Sequence, residues 1–202
     1  MPNKIKFALP NLDIESRYEN NDVIIAGVDE SGRGSLAGPI VASAVIIDKN
    51  DLISGINDSK KLTRKLRQIL YNEITRKYRY EYHVVSSDEI DETNISQANK
   101  KACIAAVDKL KIQPDIVLVD GNMKFEDKRF ISIIKGDTLS ISIAAASIVA
   151  KVTRDNIMNQ LHQNCPQYLW YKNFGYATLE HRKALSIHGS SIYHRKSFNW
   201  KI

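Results

Sequence analysis

Acidic residues far apart in the chain share one sequence context. Asp29-Glu30 closes the apolar run Val23 to Val28, Asp120 closes Asp115 to Val119, and Asp137 follows the run Arg129 to Ile134 and Gly136. If those runs are neighbouring strands, the carboxylates converge at one edge of a sheet, where α/β folds commonly bind ligands. Crowded carboxylates repel: a pair about 4 Å apart costs about 4 kcal/mol at an effective dielectric near 20, so a cation is required. Oxygen-only ligands select a hard ion, Mg²⁺ or Mn²⁺. Two such ions align a water against phosphorus and stabilise the departing oxygen, which is phosphodiester hydrolysis. Taken singly, a strand-end acid is more often solvated or turn-forming, and Asp137 could merely cap a helix beginning near Leu139. The acids together point to chemistry.

Two other features compete with that reading. Asp88, Glu89, Asp91 and Glu92 lie in one polar connection before Asn94 and read as a solvated loop whose charge suits the following helix dipole. Gly32-Arg33-Gly34-Ser35-Leu36-Ala37 matches a loose dinucleotide pattern. That pattern needs a helix N-terminus facing the pyrophosphate, whereas Pro39 and a β-branched run follow here. It is rejected, and a nucleotide-cofactor enzyme stays only as an alternative.

The elements that must hold these residues follow from periodicity. Val23 to Val28 reads as a strand, hairpinned to Pro39 to Ile47, with a third strand over Tyr80 to Val85. Asp115 to Asp120 and Arg129 to Ile134 complete five. Leu66, Ile69, Leu70 and Ile74 fall at helical spacing after Thr63, and Asn94 caps a helix through Leu110 with Ile95, Ala98, Ala102 and Ala106 inward. Leu139 to about Gln160 is apolar nearly all round in its first half, as a central packed helix should be, and Thr178 and Gly189 bracket one more. Strands mixed with helices make an α/β sheet with helices packed on it.

Composition bounds the partners. The chain has 202 residues, 43 % hydrophobic and 26 % charged, enough for one ordinary domain. Its longest apolar run, Ile141 to Val152, is too short to span a bilayer, the first residues from Met1 to Lys6 lack the pattern of a secretory signal, and two cysteines are too few for a disulfide framework, so a cytoplasmic protein is expected. Residues 151–202 hold eight Lys/Arg against Asp155 and Glu180, which equals the whole net charge of +6. They also hold half of the aromatics and four of the five histidines. Positive charge mixed with flat rings suits a nucleic-acid backbone and its bases. His181 and His188 read as surface or packing residues, and Trp170 and Trp200 as packing residues.

Five ordered blocks resemble one family. Asp29-Glu30-Ser31-Gly32-Arg33-Gly34-Ser35-Leu36-Ala37-Gly38-Pro39, Asp58-Ser59-Lys60-Lys61-Leu62, Val119-Asp120-Gly121, Gly136-Asp137 with Ile143 to Asp155, and Gly175-Tyr176 with His194-Arg195-Lys196-Ser197-Phe198 are similar to type 2 ribonuclease H, the ribonuclease HII family. The resemblance implies a ribonuclease H-like mixed five-stranded sheet flanked by helices, one catalytic domain over 1–202, with about 166–202 a basic, aromatic C-terminal helical portion for substrate contact. It implies that Asp29, Glu30, Asp120 and Asp137 are metal-binding catalytic acids served by Mg²⁺ or Mn²⁺, with two ions when substrate is bound. Gly32, Arg33 and Gly34 would sense the 2′-hydroxyl at an RNA–DNA junction, Tyr176 would pack on the neighbouring deoxyribose, and Lys60, Lys61, Arg195 and Lys196 would hold phosphates.

The implied substrates are RNA/DNA hybrids and duplex DNA holding single ribonucleotides, cut to 3′-hydroxyl and 5′-phosphate ends, in ribonucleotide removal and primer clearance. No membrane and no obligate protein partner is implied, and a monomer is expected. Ser31, Ser35 and Ala177 depart from the family's usual residues, which puts the loop stiffness near the junction in question. The sister family, ribonuclease HIII, carries lysine at the position of Arg33 and a separate N-terminal domain, for which the 28 residues before Asp29 are too few. A catalytically silent hybrid-binding module would share the basic aromatic segment but give no reason to gather the acids.

Overall fold

The computed structural model describes residues 9–18 and 23–199; Met1 to Lys6, Trp200 and Lys201 lie outside the described residues. Five strands, β1 (Ile25–Ser31), β2 (Ile40–Ile46), β3 (Arg79–Val85), β4 (Ile116–Asp120) and β5 (Phe130–Ile133), form one sheet in the order β3-β2-β1-β4-β5. β1, β2 and β3 pair antiparallel, and β1, β4 and β5 pair parallel, so the sheet is mixed. Among the described residues six α-helices accompany it: α1 (Arg64–Lys77), α2 (Ser87–Glu92), α3 (Ile95–Asp108), α4 (Ile141–Asn164), α5 (Trp170–Asn173) and α6 (Leu179–His188).

The two sheet faces follow the period of 2. Ala26, Val28, Ala42, Ala44, Val117 and Val119 pack with Ala98, Ala102 and Ala106 of α3. The opposite face takes α4, whose Ala144, Ala145, Ile148 and Val149 join Val45 and the inward residues Leu70 and Ile74 of α1. Residues 141–150 of α4 are buried throughout, which is why its first half carries no polar face. Gly27 brings β1 against that helix: a side chain there would run into the backbone of Ser142 and Ile143. A third cluster joins Leu36, Ala37 and Met158 to Tyr168, Trp170, Ala184 and Leu185, docking the C-terminal segment onto the loop after β1.

Caps start helices as the sequence predicts at Asn94 and Thr178, and Thr63, where the helical spacing begins, caps α1; each of these side chains accepts from the first turn. Asp137 does not cap α4. It sits in a separate 3-10 turn, Gly136–Thr138, and the α4 cap is Ser140. The acidic segment at Asp88 to Glu92 is a helix, not a loop: Ser86 and Glu89 form a reciprocal capping box that starts α2. Its Asp91 accepts the backbone N–H groups of Lys196 at 2.7 Å and Ser197 at 2.9 Å, tying the C-terminal strap to the domain. Among the described residues no helix is long and apolar enough to cross a membrane.

Candidate active site

β1 and β4 run in the same direction with Val28 opposite Val119, so the next residue of each, Asp29 and Asp120, end up side by side. Asp137 arrives from the turn after β5, where its backbone N–H donates to Asp120 Oδ1 at 3.4 Å. One carboxylate oxygen from each of Asp29, Asp120 and Asp137 lies within 4.8 Å of the other two. Asp29 and Asp137 are buried and Asp120 is half-buried.

Burial, then the negative charges of Glu30 and Asp120, raises the Asp29 carboxyl well above the ordinary range, against a 2.7 Å hydrogen bond donated by the Glu30 N–H. Burial, then Asp120 and Asp58, raises Asp137 as well. The exposed ammonium of Lys60 approaches Asp137 at 3.4 Å and is the cation nearest this cluster in the ion pairs of the described residues. An oxygen-only set of three carboxylates, two of which, Asp29 and Asp137, burial holds toward the protonated form, fits a hard divalent cation and no softer metal.

Glu30 stands outside this set. Alternation along β1 turns its side chain toward α3, where the amide of Asn99, 1 % exposed, favours its charged form. Burial still raises the Glu30 carboxyl, and Asp120 adds to that, so the fourth acid belongs to the same electrostatic site from the other face of the sheet. Asn99 has a sequence signal: an amide on the inner face of an otherwise Ala-rich helix.

The Gly32-Arg33-Gly34 loop leaves β1 directly beyond the acids, with the Arg33 and Gly34 positions exposed and Gly32 buried at φ +96°. Two buried guanidiniums fix its backbone. Arg154 donates to the carbonyls of Pro39 at 2.8 Å, Ala37 at 3.1 Å and Phe174 at 2.9 Å. Arg195 donates to Gly32 at 2.7 Å, Arg33 at 2.9 Å and Gly38 at 2.9 and 3.0 Å.

This corrects the expected phosphate contact of Arg195. The residue is 1 % exposed, its donors are committed to carbonyls, and burial followed by the neighbouring Arg154 charge works against its protonated form. It shapes the loop, its donors spent on backbone carbonyls. Lys60, Lys61 and Lys196 are exposed, as a phosphate contact requires. Tyr176 lies half-buried next to the same loop, its ring 5.4 Å from the Arg154 guanidinium and 5.7 Å from the Lys151 ammonium. The preceding Gly175 carbonyl accepts from the Leu36 N–H at 2.8 Å, so loop and tyrosine form one unit.

Comparison with known proteins places this geometry. A family model described as ribonuclease HII matches residues 26–201. A ribonuclease HII of Rickettsia canadensis is 59 % identical over 94 % of this chain and 95 % of its own length. Among solved structures, the ribonuclease HII in a complex with PCNA from Archaeoglobus fulgidus matches with a TM-score of 0.77 at 27 % identity, covering 89 % of this chain and 97 % of that one. The Bst ribonuclease HIII, solved with Mn²⁺, shares the fold with a TM-score of 0.69 at 19 % identity, covering 87 % of this chain and 67 % of that one.

Proposed function

This chain belongs to the ribonuclease HII family, endoribonucleases acting on the RNA strand of RNA/DNA hybrids, and from that premise we propose that it also cuts at single ribonucleotides embedded in duplex DNA. The observation that carries the reading is the meeting of Asp29, Asp120 and Asp137 within 4.8 Å, beside a loop that exposes Arg33 and Gly34.

In this reading Asp29, Asp120 and Asp137 hold Mg²⁺ or Mn²⁺, with Glu30 completing the acidic set and Asn99 fixing its orientation. Ions held there would supply a water activated against phosphorus and charge stabilisation on the departing 3′ oxygen, chemistry that gives 3′-hydroxyl and 5′-phosphate ends. Lys60 offsets the acids until a phosphate arrives. The backbone at Gly32, Arg33 and Gly34 recognises the 2′-hydroxyl, the atom that distinguishes RNA from DNA, and the Tyr176 ring packs on the deoxyribose that follows. Lys61 and Lys196 hold phosphates and carry no sequence information. Such cleavage suits ribonucleotide removal and primer clearance.

The test is incubation of the protein with a labelled duplex containing one ribonucleotide, with magnesium, with manganese and with chelator. Cleavage at the 5′ side of the ribonucleotide in the metal arms only is expected. Binding without cleavage in every arm would leave a hybrid-binding module.

A further inference from the structure

Tyr176 is held from behind by a chain of four groups, three of them buried, that metal chemistry does not use. The Ser191 N–H donates to His194 Nδ1 at 2.9 Å, which makes that nitrogen an acceptor and places the ring proton on Nε2. His194 Nε2 lies 3.0 Å from His181 Nε2, and the Trp170 indole, a donor only, reaches the same His181 nitrogen at 3.1 Å. His181 Nε2 therefore accepts, its proton sits on Nδ1, and Nδ1 lies 2.9 Å from the Tyr176 carbonyl. The single lone pair of His181 Nε2 is shared between the Trp170 and His194 donors, every ring nitrogen has a partner, and only neutral rings fit the pattern. We infer that the His181–His194 pair is a proton-ordered relay that positions Tyr176 against the Gly32-Arg33-Gly34 loop and so sets selectivity for a single embedded ribonucleotide.

The surroundings agree with neutral rings. His181 and His194 are 0 % and 2 % exposed. The Tyr168 ring covers both, at 6.1 Å and 4.6 Å, with its hydroxyl donating to the Gly189 carbonyl, and His188 meets Tyr168 instead of the pair. Tyr193 meets Trp170 edge-on, their ring centroids 6.0 Å apart. The charged chain neighbours are engaged elsewhere: Glu180 with Lys172, Arg182 with the Ala177 carbonyl, and Arg195 with the loop. Burial lowers both imidazoles, His194 to about 4 with His181 adding to the effect. The relay also joins three segments: His181 is in the first turn of α6, whose cap Thr178 accepts its N–H, while His194 bridges to Ala37 in the loop.

The inference rests on the reading of Tyr176 as the residue that packs on the deoxyribose, and the experiment separates the two. In wild-type protein at pH 7, long-range proton–nitrogen NMR of the histidine rings is expected to show Nδ1–H on His181 and Nε2–H on His194. The opposite tautomer on His181, or a charged ring, overturns the relay whatever any variant does. The second readout is the ratio of kcat/KM for a one-ribonucleotide duplex to that for a continuous hybrid, measured for folded His181→Leu, His181→Asn and Tyr176→Ala. Loss of one neutral hydrogen bond is expected to lower the ratio about tenfold in His181→Leu, with hybrid cleavage retained, and His181→Asn, which keeps an N–H near the Nδ1 position, restores part of it. A lowered ratio in Tyr176→Ala with an unchanged one in His181→Leu overturns the relay and leaves the Tyr176 reading standing. An unchanged ratio in Tyr176→Ala overturns that reading and the relay's purpose with it.

Discussion

Asp29 and Asp120 sit next to each other at the ends of parallel neighbours β1 and β4, one residue past the Val28–Val119 pair. Nothing in the chain between them, 90 residues long, determines that closeness locally; the sheet order does. The consequence is a buried carboxyl at Asp29 that resists ionisation and a site whose stability depends on what occupies it.

Asp29→Asn is therefore expected to stabilise the metal-free protein by an amount on the order of 1 kcal/mol, because the neutral amide keeps an oxygen for the Glu30 N–H and removes a repelled charge. Added Mg²⁺ should raise the melting temperature of the wild type more than that of the variant, by linkage. Thermal melts of both with and without the ion check this; equal ion-induced shifts would detach Asp29 from the metal.

Arg195 and Lys196 are adjacent and should behave oppositely. Arg195→Met orphans the carbonyls of Gly32, Arg33 and Gly38, the first and last of them buried, and should cost about 3 kcal/mol or more of stability. Lys196→Ala should leave stability near wild type and lower the salt dependence of duplex binding by about one unit of slope. Denaturant melts and binding measured across salt concentrations decide it. A reduced salt slope for a folded Arg195 variant would return Arg195 to the phosphates.

Gly27→Ala should be among the most damaging small substitutions in the core. The added methyl has no flexible neighbour to displace, only the Ser142 and Ile143 backbone at the start of α4, so a loss of about 3 kcal/mol or more is expected. Urea denaturation measures it, and a loss under about 1 kcal/mol would mean that β1 and α4 separate more easily than their packing implies.

Acid should destabilise the C-terminal segment. Unfolded His194 takes up a proton near 6.5 and the folded residue only near 4, so between those values the unfolded chain binds more protons and stability falls as pH falls. Asp29, Glu30 and Asp137, raised in the folded state, act in the opposite sense, because the folded form then holds the extra proton. The difference in pH slope between wild type and His194→Asn isolates the histidine. A slope identical in the two proteins from pH 7 to pH 4 would contradict the buried neutral assignment.

Sequence made some of this legible and hid the rest for physical reasons. Each metal-site aspartate ends or follows an apolar run, and the caps at Thr63, Asn94 and Thr178 announce their helices, because those signals are local. Arg195 reads as a surface cation because its partners are backbone carbonyls about 160 residues away, which no composition reveals. The start of α2 is marked by Ser86 and Glu89 in capping-box spacing, but four acids among five residues, Asp88 to Glu92, mask it as a solvated loop. The inward turn of Glu30 is a period-2 consequence once β1 is known to extend through Ser31.

The central claim is tested most directly by cleavage of a one-ribonucleotide duplex by Asp29→Asn and Asp120→Asn in Mg²⁺ and Mn²⁺, alongside their affinity for the uncut duplex. The predicted result is cleavage abolished in both variants at near wild-type duplex affinity. Cleavage surviving in both would contradict the assignment of these acids as the metal-binding catalytic set.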